Sequence, residues 1–270
     1  MMRICVCLMM FAWACPASPL DQAFDRLYNF DFPGAHRFID QQVAADPADP
    51  LSYAVRASAL LFQELDRLQI LEGEFFADDK RLIDKKKIKA DAVLKDRFFQ
   101  NIGAAQKSAQ VLLAKDPQDA NALFAMALAS GLTGDYSSLV EKRQLNSFSY
   151  YKESTGFAQS LLKAHPSFVD AQMTTGFSEY LVGSLPFFAK WFVKIDGIEG
   201  SKRLAAEKMQ RVAQSGRYLK AFAKILLSIY YLREDQPAQS RNFMLELTRD
   251  YPSNPLFRKE LLKLDAIQSR

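Results

Sequence analysis

The sequence contains few residues that interrupt helices or cross-link the chain. Its 270 residues include 11 glycines, 11 prolines, 3 cysteines and 2 histidines. So little glycine and proline argues against an all-β chain, which needs many tight turns. All three cysteines (Cys5, Cys7 and Cys15) lie in the first fifteen residues. A chain that loses this leader therefore has no disulfide, no thiol nucleophile and no cysteine metal ligand.

Motifs that carry catalysis are also missing. There is no glycine-rich phosphate loop, GxSxG elbow, HExxH pair or EF-hand loop. Paired carboxylates occur at Asp46 and Asp49 and at Asp78 and Asp79, in polar stretches beside predicted helix starts, where carboxylates cap free N–H groups. We therefore expect no catalytic residue, no metal site and no cofactor, and hence not an enzyme.

The charge of the chain is mild. The formal net charge is +4 and the sequence pI is about 8.8. Nucleic-acid binding usually needs clustered Lys and Arg and a higher pI, so we expect no nucleic-acid partner. Hydrophobic residues make up 49% of the chain, which is enough to bury a full core.

The N-terminus has the pattern of a targeting segment. Arg3 is followed by an uninterrupted apolar run over residues 4–14, which is too short to span a bilayer. We predict a signal peptide over residues 1–17, with cleavage after Ala14 or after Ala17, and a protein exported to the periplasm or cell envelope. Two alternatives are a lipoprotein, with Cys15 as the candidate lipidation residue, and an uncleaved apolar anchor.

Prolines divide the rest of the chain into helical units. Each follows one helical run and precedes the next, as expected because proline disfavours helix in the preceding residue and suits the first turn of a new helix. The four prolines are Pro47, Pro117, Pro166 and Pro252. Small residues stand ten positions after the first three, at Ala57, Ala127 and Gly176. We expect paired helices to cross closely at these residues.

These units resemble the tetratricopeptide repeat superfamily. Residues 120–136 end in Gly134-Asp135-Tyr136, which resembles the turn within such a repeat, and residues 221–254 span its 34-residue period. In the last unit, Ser228 and Ser240 stand at the small positions. The resemblance implies an all-α, tetratricopeptide-like α-solenoid over residues 18–270, with five or six irregular helical hairpins and a terminal helix over 257–267.

The proline spacing is irregular, at 70, 49 and 86 residues. The two longer gaps each leave room for one extra hairpin. Over residues 110–260 the chain also resembles uncharacterised exported bacterial tetratricopeptide-like proteins and, distantly, the mitochondrial outer-membrane Iml2 family. These resemblances imply a non-enzymatic scaffold that mediates protein–protein interaction through an unidentified protein or peptide partner. The alternative is a peripheral membrane protein or lipoprotein of the cell envelope.

An aromatic segment over residues 184–195 is the strongest candidate for contact with a partner or a membrane. Its candidate interaction residues are Phe187, Phe188, Lys190, Trp191, Phe192 and Lys194. Burial of these rings against neighbouring helices explains the same pattern. We expect burial, because so many aromatic side chains in water form a larger apolar patch than a soluble monomer normally exposes.

Overall fold

Eleven α-helices and one π-helical turn dominate the computed structural model, which describes residues 17–71, 89–185 and 195–268; these ranges contain no strand. The expected all-α class is confirmed. The helices are α1 (Pro19–Tyr28), α2 (Phe32–Ala45), α3 (Pro50–Arg67), α4 (Ala92–Lys115), α5 (Ala120–Asp135), α6 (Gln144–Ala164), α7 (Ala171–Gly183), α8 (Lys202–Ser215), α9 (Lys220–Arg233), α10 (Pro237–Asp250) and α11 (Pro255–Gln268).

The helices pack in adjacent pairs. The pairs are α1 with α2, α3 with α4, α5 with α6, α7 with α8 and α9 with α10, and α11 packs on α10. Each pair also contacts the next, through α2 and α3, α4 and α5, α6 and α7, and α8 and α9. The 86-residue gap between prolines holds two pairs, as its length predicts. In the 70-residue gap, the described residues form one pair.

The turns before α3 and α5 are capped by aspartates that lie within them. Asp46 Oδ1 accepts a hydrogen bond from Ala48 N at 3.0 Å, and Asp49 then caps α3. The next such turn repeats this arrangement, with Asp116 in the turn and Asp119 capping α5. These carboxylates satisfy N–H groups that have no partner within the helix. The capping role predicted for Asp49 is therefore confirmed, whereas Asp46 binds an N–H of the turn and not of a helix start.

The turns within pairs have a different geometry. Four residues that are not glycine adopt a left-handed conformation, with φ of 60° at Phe30, 58° at Gln69, 58° at Lys142 and 60° at Asp235. A side chain in this conformation costs roughly 1–2 kcal/mol relative to the right-handed one. Left-handed residues thus occur in the connections within four of the five pairs, whereas aspartate-capped turns precede α3 and α5, and only the capped turn has a sequence signature.

Paired helices meet at small residues predicted by the repeat resemblance, at Ser228 and Ser240, and by the proline spacing, at Ala127 and Gly176. Ser228 and Ser240 lie on α9 and α10, and their hydroxyl oxygens are 2.9 Å apart. Ser154 of α6 donates a hydrogen bond to the carbonyl of Ala127 on α5 at 2.6 Å. A Cβ added to Gly176 on α7 would lie 3.1 Å from a side chain of α8. The close crossings at these positions are confirmed.

The predicted turn at Gly134-Asp135-Tyr136 is wrong. Helix α5 continues through Asp135 into a π-helical turn, Tyr136–Val140, and the left-handed turn follows at Lys142. Gly134 has a packing role instead, because a Cβ there would lie 2.7 Å from the ring of Tyr151. A glycine permits both a close approach and a turn, and here it serves the close approach.

Helix α1 contacts residues that are distant in sequence, in the turns before α9 and α11. Tyr28 donates its hydroxyl hydrogen to the carbonyl of Tyr218 at 3.1 Å, and Asn254 donates its amide to the carbonyl of Tyr28 at 2.8 Å. Arg217 binds Asp21 through its Nε at 2.8 Å. The first helix pair therefore packs directly against the later pairs.

A row of aromatic rings lies at this closure, and we call it the aromatic row. Its successive ring centroids are 4.9 to 6.2 Å apart, distances typical of favourable aromatic contacts. In contact order, its members are Tyr251, Tyr28, Phe24, Tyr218, Phe124 and Phe168. These side chains occupy the space between the first pair and the later ones.

Candidate functional site

The candidate interaction residues of the sequence lie outside the described residues. Phe187, Phe188, Lys190, Trp191, Phe192 and Lys194 fall within 186–194, and the candidate lipidation residue Cys15 falls within 1–16. Asp78 and Asp79 fall within 72–88, which is also outside the description. The structure nevertheless describes the residues from which the aromatic segment departs and to which it returns.

Two glycines meet at the base of the aromatic segment. A Cβ on Gly183 would lie 2.7 Å from the carbonyl oxygen of Gly200, and a Cβ on Gly200 would lie 2.7 Å from Val182. Gly200 also has a φ of +71°, which side chains rarely adopt. The chain therefore leaves α7 and returns before α8 at nearly the same point, where only glycine permits the approach.

A buried glutamate holds this base together. Glu179 is 0% exposed, and its Oε2 accepts hydrogen bonds from Gly200 N at 2.8 Å and Ser201 N at 3.0 Å. Its Oε1 accepts a hydrogen bond from Lys208 Nζ at 3.2 Å. A buried carboxylate is tolerated only when donors surround it, and this one also caps the start of α8. The sequence signal that could have revealed it is a glutamate that is the one charged residue of its helix.

A second buried glutamate binds residues on both sides of the long connection between α3 and α4. Glu64 is 1% exposed and binds Arg67 Nε at 2.8 Å and Asp91 N at 2.9 Å. Arg67 in turn donates from Nη2 to the carbonyl of Lys89 at 2.8 Å. The connections between α3 and α4 and between α7 and α8 therefore each begin and end beside a buried glutamate.

The connection between α5 and α6 meets the Glu64 cluster. Tyr136 is 1% exposed, and its hydroxyl has no hydrogen-bond partner among the described residues. Burial, with Glu64 and Glu141 nearby, raises the pKa of Tyr136 above its ordinary value. Lys95 binds Glu141 at 2.7 Å and lies 5.9 Å from the centre of the Tyr136 ring. The cluster joins α3, α4 and α5 at the edge where the within-pair connections lie.

The two histidines lie on different elements, His36 on α2 and His165 in the turn before α7. Burial, followed by Arg97 and Arg56, lowers the pKa of His36, and neither ring nitrogen has a hydrogen-bond partner in the described part of the chain. His165 lies in the turn before α7, with its Nε2 2.7 Å from the carbonyl of Gln118. Across the described residues, no group of three or more His, Cys, Asp or Glu side chains is arranged to bind a metal ion.

No helix within the described ranges is both long enough and apolar enough to cross a membrane. In comparisons with known proteins, no family model matches the chain, and no curated protein is significantly similar to it.

Proposed function

We propose that the chain is a tetratricopeptide-like helical-repeat scaffold that binds a protein or peptide partner. The observation that carries the proposal is the packing of the eleven described helices as five successive pairs and a final helix, with each pair in contact with the next. Stacked helix pairs of this kind form α-solenoids, whose extended surfaces bind other proteins. The aromatic row fills the space between the first pair and the later ones, so we assign partner binding to the outer faces and edges.

We also propose that the scaffold acts outside the cytoplasm, after loss of residues 1–17. The start of α1 supports this boundary. Ser18 Oγ accepts a hydrogen bond from Asp21 N at 3.2 Å, and Asp21 Oδ2 accepts one from Ser18 N at 3.0 Å. This capping box is complete without the residues before Ser18. Among the described hydrogen bonds at this start, cleavage after Ala17 removes only that of Gln22 to the Ala17 carbonyl.

The test is a pull-down from a periplasmic extract with residues 18–270 carrying a C-terminal affinity tag. We expect a discrete protein partner that survives a salt wash and binds again as a purified component. An unrelated exported helical protein with the same tag is the control. Recovery of the same proteins with both baits, or of none with the scaffold, contradicts the proposal.

The alternative is a peripheral membrane protein, held by a lipidated Cys15 or by the aromatic segment. The contacts among Glu179, Gly183 and Gly200 favour it, because they bring together the two chain ends between which the sequence is rich in aromatic residues and lysine. Cell fractionation distinguishes the two proposals. Release of the full-length protein into a soluble periplasmic extract supports the scaffold, and retention on membranes after a high-salt wash supports the alternative. Cys15→Ser then separates the two anchors.

Trp191 reports directly on the aromatic segment. Loss of the leader removes Trp13 and leaves Trp191 as the only tryptophan. We expect blue-shifted emission and weak acrylamide quenching, because the segment contains too many aromatic residues to stay in water. Red-shifted emission with strong quenching contradicts burial and favours an exposed contact surface. A spectral shift on adding vesicles favours the membrane alternative.

A further inference from the structure

Helix α11 begins in the same way as α3, the first helix of a pair. Asn254, two residues after a proline, accepts a hydrogen bond at its Oδ1 from Leu256 N at 2.9 Å. Asp49, also two residues after a proline, accepts the equivalent bond from Leu51 N at 3.1 Å. Both helices begin at the next residue, which is a proline in each. The two turns therefore match residue for residue, and α11 has the register of a first helix.

This register places Leu262 where a second helix lies in the other pairs. Leu262 stands ten residues after Pro252, just as Ala57 and Ala127 stand ten residues after their own prolines. The two alanines are 0% and 1% exposed, in pairs that α4 and α6 complete. Leu262 is instead 64% exposed, although α11 packs on α10. Among the described residues, this side of α11 therefore lacks the second helix that its register calls for.

The uncovered side of α11 combines an apolar centre with basic side chains. We call it the crossing face, and its exposed members are Arg258, Lys259, Leu262 and Ala266. Their spacing of three or four residues places them on one side of the helix. The position of Arg258 is occupied by Tyr53 in α3 and by Leu123 in α5, so the basic charge is particular to α11. Asp265, at the edge of this face, binds Arg241 of α10 at 2.5 Å.

We propose that the crossing face binds an amphipathic α-helix of a partner protein, with acidic residues beside its apolar stripe. The occupant is a helix because the face continues the series of interfaces in which α4 and α6 cover the same register of α3 and α5. It is acidic because Arg258 lies one turn from Leu262 and attracts a carboxylate there. Leu262 is the apolar anchor of the contact. The inference rests on the proposed scaffold function and identifies the chemistry of its partner.

The test is fluorescence anisotropy with untagged residues 18–270 and a fluorescein-labelled helical peptide of about 16 residues, in which glutamates flank a stripe of leucines. We expect Leu262→Asp to weaken binding about tenfold or more, because it removes the apolar anchor. The melting temperature should not fall, because the side chain is exposed. The matched control is Leu145→Asp, which makes the same change at a leucine 86% exposed on α6 and should leave binding within about twofold.

A charge reversal tests the acidic character of the occupant. A second peptide has lysine in place of each glutamate and keeps the leucine stripe. We expect Arg258→Glu to weaken binding of the glutamate peptide and to strengthen binding of the lysine peptide, because the attraction changes sign. Sedimentation equilibrium of the parent protein and of Leu262→Asp, at the concentrations of the titration, should show a monomer in both cases.

Four results overturn the inference. The first is no binding of the glutamate peptide by the parent protein at about 1 mM. The second is an equal loss with Leu145→Asp, which indicates non-specific apolar attraction. The third is the same effect of Arg258→Glu on both peptides. The fourth is a dimer of the parent protein that Leu262→Asp dissociates, which assigns the crossing face to a second copy of the chain.

The pull-down separates this inference from the scaffold proposal. Loss of the partner with the Leu262→Asp bait, but not with the Leu145→Asp bait, supports both. A partner that the Leu262→Asp bait retains overturns the inference and leaves the scaffold proposal standing, with its contact surface elsewhere.

Discussion

The contact between the start of α7 and the turn before α9 gives a sharp test of how the pairs are joined. Asp170 is 4% exposed, and its carboxylate accepts backbone hydrogen bonds from Arg217 at 2.9 Å, Tyr218 at 3.0 Å and Leu219 at 2.7 Å. Leu219 occupies the N-cap position of α9 and cannot cap it with its own side chain. Asp170 therefore caps α9 from outside that helix.

The expected cost of Asp170→Ala follows from these three bonds. The change leaves three N–H groups without their charged acceptor, two of them on the buried residues Tyr218 and Leu219. Since an unmet buried donor costs about 1–3 kcal/mol, we expect a loss of about 3–5 kcal/mol. Asp170→Asn keeps one acceptor oxygen but not the charge, so we expect a loss of about 2 kcal/mol.

The equivalent aspartate one pair earlier provides the control. Asp119 caps α5 through a single bond to Ala122 N at 2.8 Å, so Asp119→Ala should cost only about 1 kcal/mol. Urea unfolding of residues 18–270, followed by circular dichroism, measures both variants. With a slope of about 3 kcal/mol/M, the midpoint should fall by about 1–1.7 M for Asp170→Ala and about 0.3 M for Asp119→Ala. Equal shifts for the two variants would refute the three-bond cap and the packing of pairs that it implies.

Three further predictions concern pH and packing. Burial raises the pKa of Asp135 to about 6 from 3.8, so the folded state keeps its proton while the unfolded chain loses it, and stability falls by about 2 kcal/mol as pH rises from 4 to 6. Asp135→Asn should abolish this slope in urea titrations at pH 4, 5, 6 and 7, and an unchanged slope contradicts the assignment. Burial lowers the pKa of His36 below 6.5, so the unfolded chain takes up its proton first and stability falls as pH drops below 6.5. His36→Gln should remove that decline, and thermal melts between pH 5 and 7 measure it. Gly176→Leu should cost about 1–3 kcal/mol of stability, because its Cβ would lie 3.1 Å from the Lys208 side chain and 3.4 Å from the Ala205 carbonyl. Thermal melts measure this loss, and an unchanged melting temperature would contradict the close crossing.

The turns between pairs were predictable because their causes are local. In the turn at Asp46, both capping bonds join residues two positions apart, and the proline between them restricts the preceding backbone. The close crossings were predictable because a fixed count of residues from a proline selects one face of a helix. Ala127 illustrates this, since it stands ten residues after Pro117 and its carbonyl accepts a hydrogen bond from Ser154 on the paired helix at 2.6 Å.

The turns within pairs could not be found in this way. Their left-handed residues, such as Phe30 and Asp235, are not glycine, and packing of the paired helices compensates for the local cost. The prediction at Gly134 failed for a related reason. A glycine permits a turn and a close approach equally well, and only the position of the Tyr151 ring decides between them.

By itself, then, the sequence determined the helical class, the capped turns and the small crossing residues, because each depends on neighbours a few positions away. Tertiary structure alone decided that α1 closes onto the far end of the chain and that Glu64 and Glu179 hold the bases of the two long connections. The bonds between Tyr28 and Tyr218 and between Asn254 and Tyr28 join residues 190 and 226 positions apart. No local propensity encodes a contact at that separation, because it forms only when several packed pairs bring the two ends together.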